Sequence, residues 1–144
     1  MHCNFDNYAI ANLQSLFCNK YDYINAWANY IIENHFDDKI LLANTTFDDI
    51  ECSRSLYKVL ISKKINVILV DEQLSLGKYI DYLFSAKTLI SGRMHSLILA
   101  KAIGNITIIP WFISKKIIGF VEKYNTFDSV FPLSNEIKTV LSRL

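Results

Sequence analysis

An α/β fold with a parallel sheet is predicted by three observations. Short apolar runs alternate with helical stripes of ten or more residues, and a chain that passes from strand to helix to strand needs crossover connections, which make the strands parallel. The clearest run, Asn66 to Val70, is apolar on both parities, as a strand covered on two faces must be. No internal repeat, low-complexity tract or linker rich in proline, glycine or serine interrupts the alternation, so one structural unit is expected.

Residues 1–20 form an unassigned N-terminal segment, and the folded domain is expected over 21–144. From Tyr21 to Asn34, the residues Ile24, Trp27, Ala28, Ile31 and Ile32 recur at spacings of three and four, one helical stripe that Tyr23 and Tyr30 widen. Lys39 to Ala43 is a short apolar strand, and Asn44-Thr45-Thr46 is loop-forming. Asp48 or Asp49 can cap the helix that follows, whose Cys52, Leu56, Val59 and Leu60 share a face. The strand Asn66 to Val70 then belongs inside the sheet, and Asp71-Glu72 close it.

A helix over Leu74 to Ser85 carries Leu76, Ile80, Leu83 and Phe84 on one face. Thr88 to Ile90 is the next strand, Met94 to Ile103 the next helix, Gly104-Asn105 its stop and Ile106 to Ile109 another strand. Beyond Pro110, helices are predicted at Lys115 to Tyr124 and Asn135 to Leu144, with room for a short strand in Thr126 to Pro132. The architecture is therefore a Rossmann-like parallel sheet flanked by helices.

Composition narrows the partners. The 144 residues suffice for one domain with a real core. An apolar content of 51% and a mean hydropathy of +0.20 imply that some apolar surface faces a partner. Basic and acidic side chains, 15 and 14, are mixed along the chain and give a net charge of +1, too little field to hold a nucleic-acid backbone. Arg93, His95 and Lys101 break the longest apolar stretch, so no membrane span is expected.

Met1 to Asn4 lack the charged and apolar regions of a secretory signal, and the expected location is cytoplasmic, with peripheral association at the inner membrane face allowed. Cys3, Cys18 and Cys52 have neither the count nor the spacing of a disulfide framework or a zinc site, and His2-Cys3 lacks a second ligand pair. Four glycines, at 77, 92, 104 and 119, make no dinucleotide or phosphate-loop pattern, and no nucleophile elbow surrounds Ser91, Ser96 or Ser114. No cofactor and no metal are expected.

In a parallel sheet the C-terminal ends of the strands share one rim, where ligands bind. That rim would collect Asn44-Thr45-Thr46, Asp71-Glu72, Ser91-Gly92-Arg93-Met94-His95, and Trp111 with Lys115 and Lys116. The most informative stretch is Thr88 to Ala100, where an apolar strand passes through Ser91-Gly92 into a helix. A helix N-terminus offers free N–H groups and a positive dipole end, and phosphate or carboxylate binds there. Arg93 adds a planar fork of donors, and His95 adds a group that exchanges a proton near neutral pH.

Each of these residues has a plainer reading. Arg93 can pair or cap, and His95 can sit satisfied in the first turn. Asn44-Thr45-Thr46 can satisfy its own backbone, and Asp71 and Glu72 read mostly as helix caps. Trp111 can pack on a neighbouring domain, Lys115 and Lys116 can be solvated, and Tyr79 can be half-buried.

The series Ser91 to Ala100, then Ala102-Ile103-Gly104, Ile108-Ile109-Pro110 and Lys116-Ile117-Ile118-Gly119-Phe120, resembles the C-terminal half of the polysaccharide pyruvyl transferase family. The resemblance runs from about Asp71 to Tyr124 and includes Tyr79, Leu83 and Ala86. Between Tyr21 and Lys64 only the rhythm of strands and helices agrees. It implies the C-terminal half of a two-domain, glycosyltransferase-B-like fold, either a truncated product or a split subunit, with an N-terminal half-domain or a second copy as partner.

The implied activity is transfer of a pyruvyl group from phosphoenolpyruvate to a sugar of a surface polysaccharide, on a glycan or lipid-linked acceptor. In that reading Arg93 and His95 are catalytic, the first as anion clamp and the second as acid or base, and Ser91, Gly92, Met94 and Lys116 bind substrate. Two alternatives stand beside it. One is the half-domain of a nucleotide-sugar-dependent glycosyltransferase that uses Arg93 and Lys116 on a diphosphate; the other is a truncated, non-catalytic binding or partner subunit.

Overall fold

Five parallel strands in the order β3-β2-β1-β4-β5 form the sheet of the computed structural model, which describes residues 8–15, 18 and 23–110. The elements run β1 (Tyr8–Asn12), α1 (Tyr23–His35), β2 (Lys39–Asn44), a 3-10 turn (Phe47–Asp49) and α2 (Ile50–Ser62). They continue through β3 (Val67–Gln73), α3 (Leu76–Ser85), β4 (Thr88–Ser91), α4 (Met94–Ile103) and β5 (Thr107–Pro110). The α/β, Rossmann-like class is as the sequence predicts. The predicted helices at 115–124 and 135–144, the short strand in 126–132, and Trp111, Lys115 and Lys116 lie outside the described residues.

Alternation along each strand divides the core in two. Ala9, Ala11, Ile40, Leu42, Ile90 and Ile109 face one side, where Trp27, Ala28 and Ile31 of α1 and Cys52, Leu56 and Leu60 of α2 complete a cluster. Tyr8, Ile10, Leu41, Ala43, Leu89 and Ile108 face the other, with Tyr79 and Leu83 of α3 and Leu97 and Ala100 of α4. Helices thus cover both faces, as parallel strands require. The last carbonyls of α4 are closed by Gly104, whose φ of 95° is left-handed and whose N–H donates to Ala100 O, so glycine suits the position.

Three expectations are corrected. The segment 1–20, unassigned from sequence, contains β1, the middle strand, paired with β2 and β4 in registers that set Ile10 against Leu41 and Leu89. Conversely β3, expected inside, is one of the two outer strands among the described residues, and Ile68 is 40% exposed. Its apolar residues on both parities reflect partial cover rather than a central place. On α3 the buried residues are Tyr79 and Leu83, while Leu76 and Phe84, predicted on the apolar face, are exposed.

The strand order fixes where a ligand can dock. From β1 the chain builds outward through β2 and β3, then returns to the other side of β1 for β4 and β5. The loops after β1 and β4 therefore leave the sheet in opposite directions, and the crevice between them is the topological switch point at which such sheets bind ligands.

Candidate functional site

The four strand ends Asn12, Asn44, Gln73 and Ser91 carry polar side chains, and all four are used inside the protein. Asn12 Nδ2 donates to Ala43 O at 3.0 Å, while Asn12 Oδ1 accepts the hydroxyls of Ser91 at 2.9 Å and Ser96 at 2.8 Å. Tyr79 OH donates to Ser96 Oγ at 2.8 Å and extends the network to α3. Asn44 Nδ2 donates to Ser53 Oγ at 2.8 Å, and Gln73 Nε2 donates to Thr45 O at 3.1 Å. Buried polar groups need partners: Asn12 and Ser91 staple neighbouring strand ends and Asn44 ties β2 to α2, while Gln73 makes its bond on the exposed surface.

Ser91, predicted to bind substrate, is fully buried, and its Oγ also accepts Arg93 N–H at 2.9 Å. Gly92 is buried and continues the β1 ladder by donating its N–H to Asn12 O at 3.1 Å. Tyr79 is fully buried rather than half-buried, and burial pushes its phenol well above the ordinary tyrosine range.

Arg93 occupies the N-cap of α4 in extended backbone and makes no side-chain cap there. Its side chain instead reaches Asp49, with Nε to Oδ2 at 2.9 Å and Nη2 to Oδ1 at 2.7 Å. The Asp49 side chain is 1% exposed and that of Arg93 29% exposed. Asp49 Oδ1 also accepts the N–H of Ser15 at 2.8 Å, so one carboxylate joins the loops that follow β1, β2 and β4. Met94 is half-buried and His95 exposed in the first turn of α4. Lys116 lies outside the described residues.

The structure thus brings Arg93, Met94 and His95 to the switch-point rim and joins them to a residue that sequence reasoning missed. Asp49 stands at the N-cap of α2 as expected but makes no side-chain cap hydrogen bond. The sequence offers two acids, Asp48-Asp49, where one cap suffices, but nothing local ties either of them to Arg93. Asp71 and Glu72 are not caps either. They still belong to β3, and the cap of α3 is Ser75, whose Oγ accepts Lys78 N–H at 3.2 Å. Asp71 accepts from Arg54 Nε at 2.6 Å on an exposed surface.

A separate groove of about 480 Å³ runs beside α3, lined by Tyr8, Glu72, Lys78, Asp81 and Tyr82 among others, and of the candidate rim residues Glu72 alone borders it. Among the described residues no three His, Cys, Asp or Glu side chains converge on a point that could hold a metal ion. No described helix is long and apolar enough to cross a membrane. In comparison with known proteins, the chain matches no family model and no curated protein.

What the arrangement can do follows from its donors. A guanidinium carries five N–H bonds, and Asp49 takes two, leaving three for an anion. The first-turn N–H groups of α4 and an exposed imidazole stand within the same four residues.

Proposed function

We propose that this domain holds the anionic donor of a two-domain polysaccharide pyruvyl transferase, binding phosphoenolpyruvate at the first turn of α4. One observation carries the reading: Arg93 and His95 stand together at the N-terminus of a helix that leaves the sheet at its topological switch point. The resemblance of the stretch from Asp71 to Tyr124 supplies the choice of donor.

In this reading Arg93 grips the carboxylate or phosphate, assisted by the N–H groups of Met94 and His95. The reaction joins two hydroxyl oxygens of the acceptor sugar to C2 of the donor and releases phosphate. One hydroxyl proton ends on the former enol methylene, which becomes a methyl, and the other leaves with phosphate. His95 relays the first of these protons, and Lys116 neutralises the departing phosphate. The acceptor is a glycan or lipid-linked sugar presented by an N-terminal half-domain or a second copy.

The Arg93–Asp49 pair favours a second reading, in which the arginine is a structural latch and the chain is a non-catalytic partner subunit. Calorimetric titration with phosphoenolpyruvate, then with a nucleotide sugar in competition, separates the possibilities. The proposal expects saturable binding of phosphoenolpyruvate that a nucleotide sugar does not displace, and at least a roughly tenfold loss in Arg93→Lys, because a point charge cannot replace the fork. Displacement by the nucleotide sugar would favour the glycosyltransferase alternative, and binding of neither ligand the partner subunit.

A further inference from the structure

We infer that Asp49 is the positioning residue for anion recognition by Arg93, presenting the outer edge of the guanidinium while occupying its inner edge. The inference rests on the anion-site reading above and adds to it the residue that sets the geometry.

The stereochemistry is explicit. A guanidinium has two edges that can each present a parallel pair of N–H bonds to an oxyanion: the side edge formed by Nε and one terminal nitrogen, and the end formed by both terminal nitrogens. Asp49 takes the side edge, with Oδ2 on Nε at 2.9 Å and Oδ1 on Nη2 at 2.7 Å. The end keeps both N–H bonds of Nη1 and one of Nη2, a complete second fork. Its side chain is 29% exposed, so solvent reaches an arginine whose partner is buried.

Asp49 is itself over-determined. Its Oδ1 accepts from the Ser15 backbone as well as from Arg93, and it closes a 3-10 turn whose N–H is held by Thr46 O at 3.1 Å. A long side chain on a helix cap would sample many rotamers in water; clamped on one edge by a carboxylate that cannot move, it loses that freedom before a ligand arrives. The residue acts through Arg93, and the ligand it serves is a small oxyanion, a carboxylate or a phosphate.

The test uses the full chain, with phosphoenolpyruvate and inorganic phosphate as probes. In Asp49→Asn, which keeps the shape and removes the charge and one acceptor, affinity for both probes is expected to fall about tenfold, the loss of one charge-assisted bond. In the double variant with Arg93→Ala, Asp49→Asn is expected to add nothing further, because its effect passes through the arginine. A purely structural Asp49 would lower thermal stability and leave the affinity of the folded fraction unchanged. Tightened binding would show that Asp49 competes with the anion instead. Either result overturns the inference while leaving the anion site in place; failure of the wild-type chain to bind either probe overturns both.

Should Asp49→Asn not fold, the wild-type chain decides by NMR. The Arg93 Nε–H signal is expected to stay protected from solvent exchange at saturating phosphoenolpyruvate while the Nη signals shift. Loss of that protection would mean the ligand displaces Asp49, contrary to the inference.

Discussion

Asn12 joins β2, β4 and α4 through a single amide, donating to Ala43 O and accepting the hydroxyls of Ser91 and Ser96. Its replacement by alanine leaves three buried polar groups short of a partner, and a loss of about 3 kcal/mol is expected in urea unfolding. Tyr79→Phe removes only the outermost bond of the same network and is expected to cost about 1 kcal/mol. Equal costs for the two would contradict the picture of Asn12 as the hub. Cys52 illustrates the other use of burial: desolvation first, then the neighbouring Cys18, pushes its thiol far above the ordinary range. Iodoacetamide is therefore expected to modify Cys52 only on unfolding, followed by mass spectrometry with and without denaturant; rapid native labelling of Cys52 would refute this.

At the level of elements, β1 decides the fold, and it is the strand least visible in sequence. Tyr8-Ala9-Ile10-Ala11-Asn12 carries two alanines, which have low strand propensity, and only five residues, so neither composition nor length marks it. The alanines are explained by tertiary context, since both belong to the cluster that also holds Trp27. The run Val67 to Val70 shows the reverse: strong propensity earns no central place, because sheet order is set by crossovers that a local window does not contain. Helices α1 and α2 were legible because their stripes are long and regular, and α4 because Gly104 marks its end, whereas α3 buries Tyr79 and Leu83 and leaves the apolar Leu76 and Phe84 exposed.

The rim was legible in part. Ser91-Gly92-Arg93 was placed at a strand-to-helix turn, but Asp49, 44 residues away, could not be paired with Arg93 before the fold was known. Hydrogen exchange tests the element assignment directly. Amides of β1 and β4 are expected to exchange only through global unfolding and those on the outer side of β3 faster. Ile10→Ala, at the centre of β1, is expected to cost roughly 2–5 kcal/mol.

For the molecule as a whole, buried tyrosines set an alkaline limit. Burial, with a smaller repulsion from Tyr82, pushes the Tyr8 phenol from 10.0 up to about 12, and burial raises Tyr23 and Tyr79 further. Above pH 10 the unfolded chain sheds protons that the folded chain keeps, so the stability these groups contribute is complete below pH 10 and is lost as pH rises through 12. The urea midpoint is expected to fall across that window while near-ultraviolet tyrosinate absorbance from these residues appears only with unfolding; ionisation in the native state would contradict it. The functional account stands or falls at the switch point between β1 and β4. A crystal structure of the chain with phosphoenolpyruvate bound tests it most directly: the account places the donor at the first turn of α4, within hydrogen-bond distance of the free end of Arg93, with the Asp49 pair intact. A donor seated in the groove beside α3, or an arginine that ignores a donor bound at the rim, would contradict it.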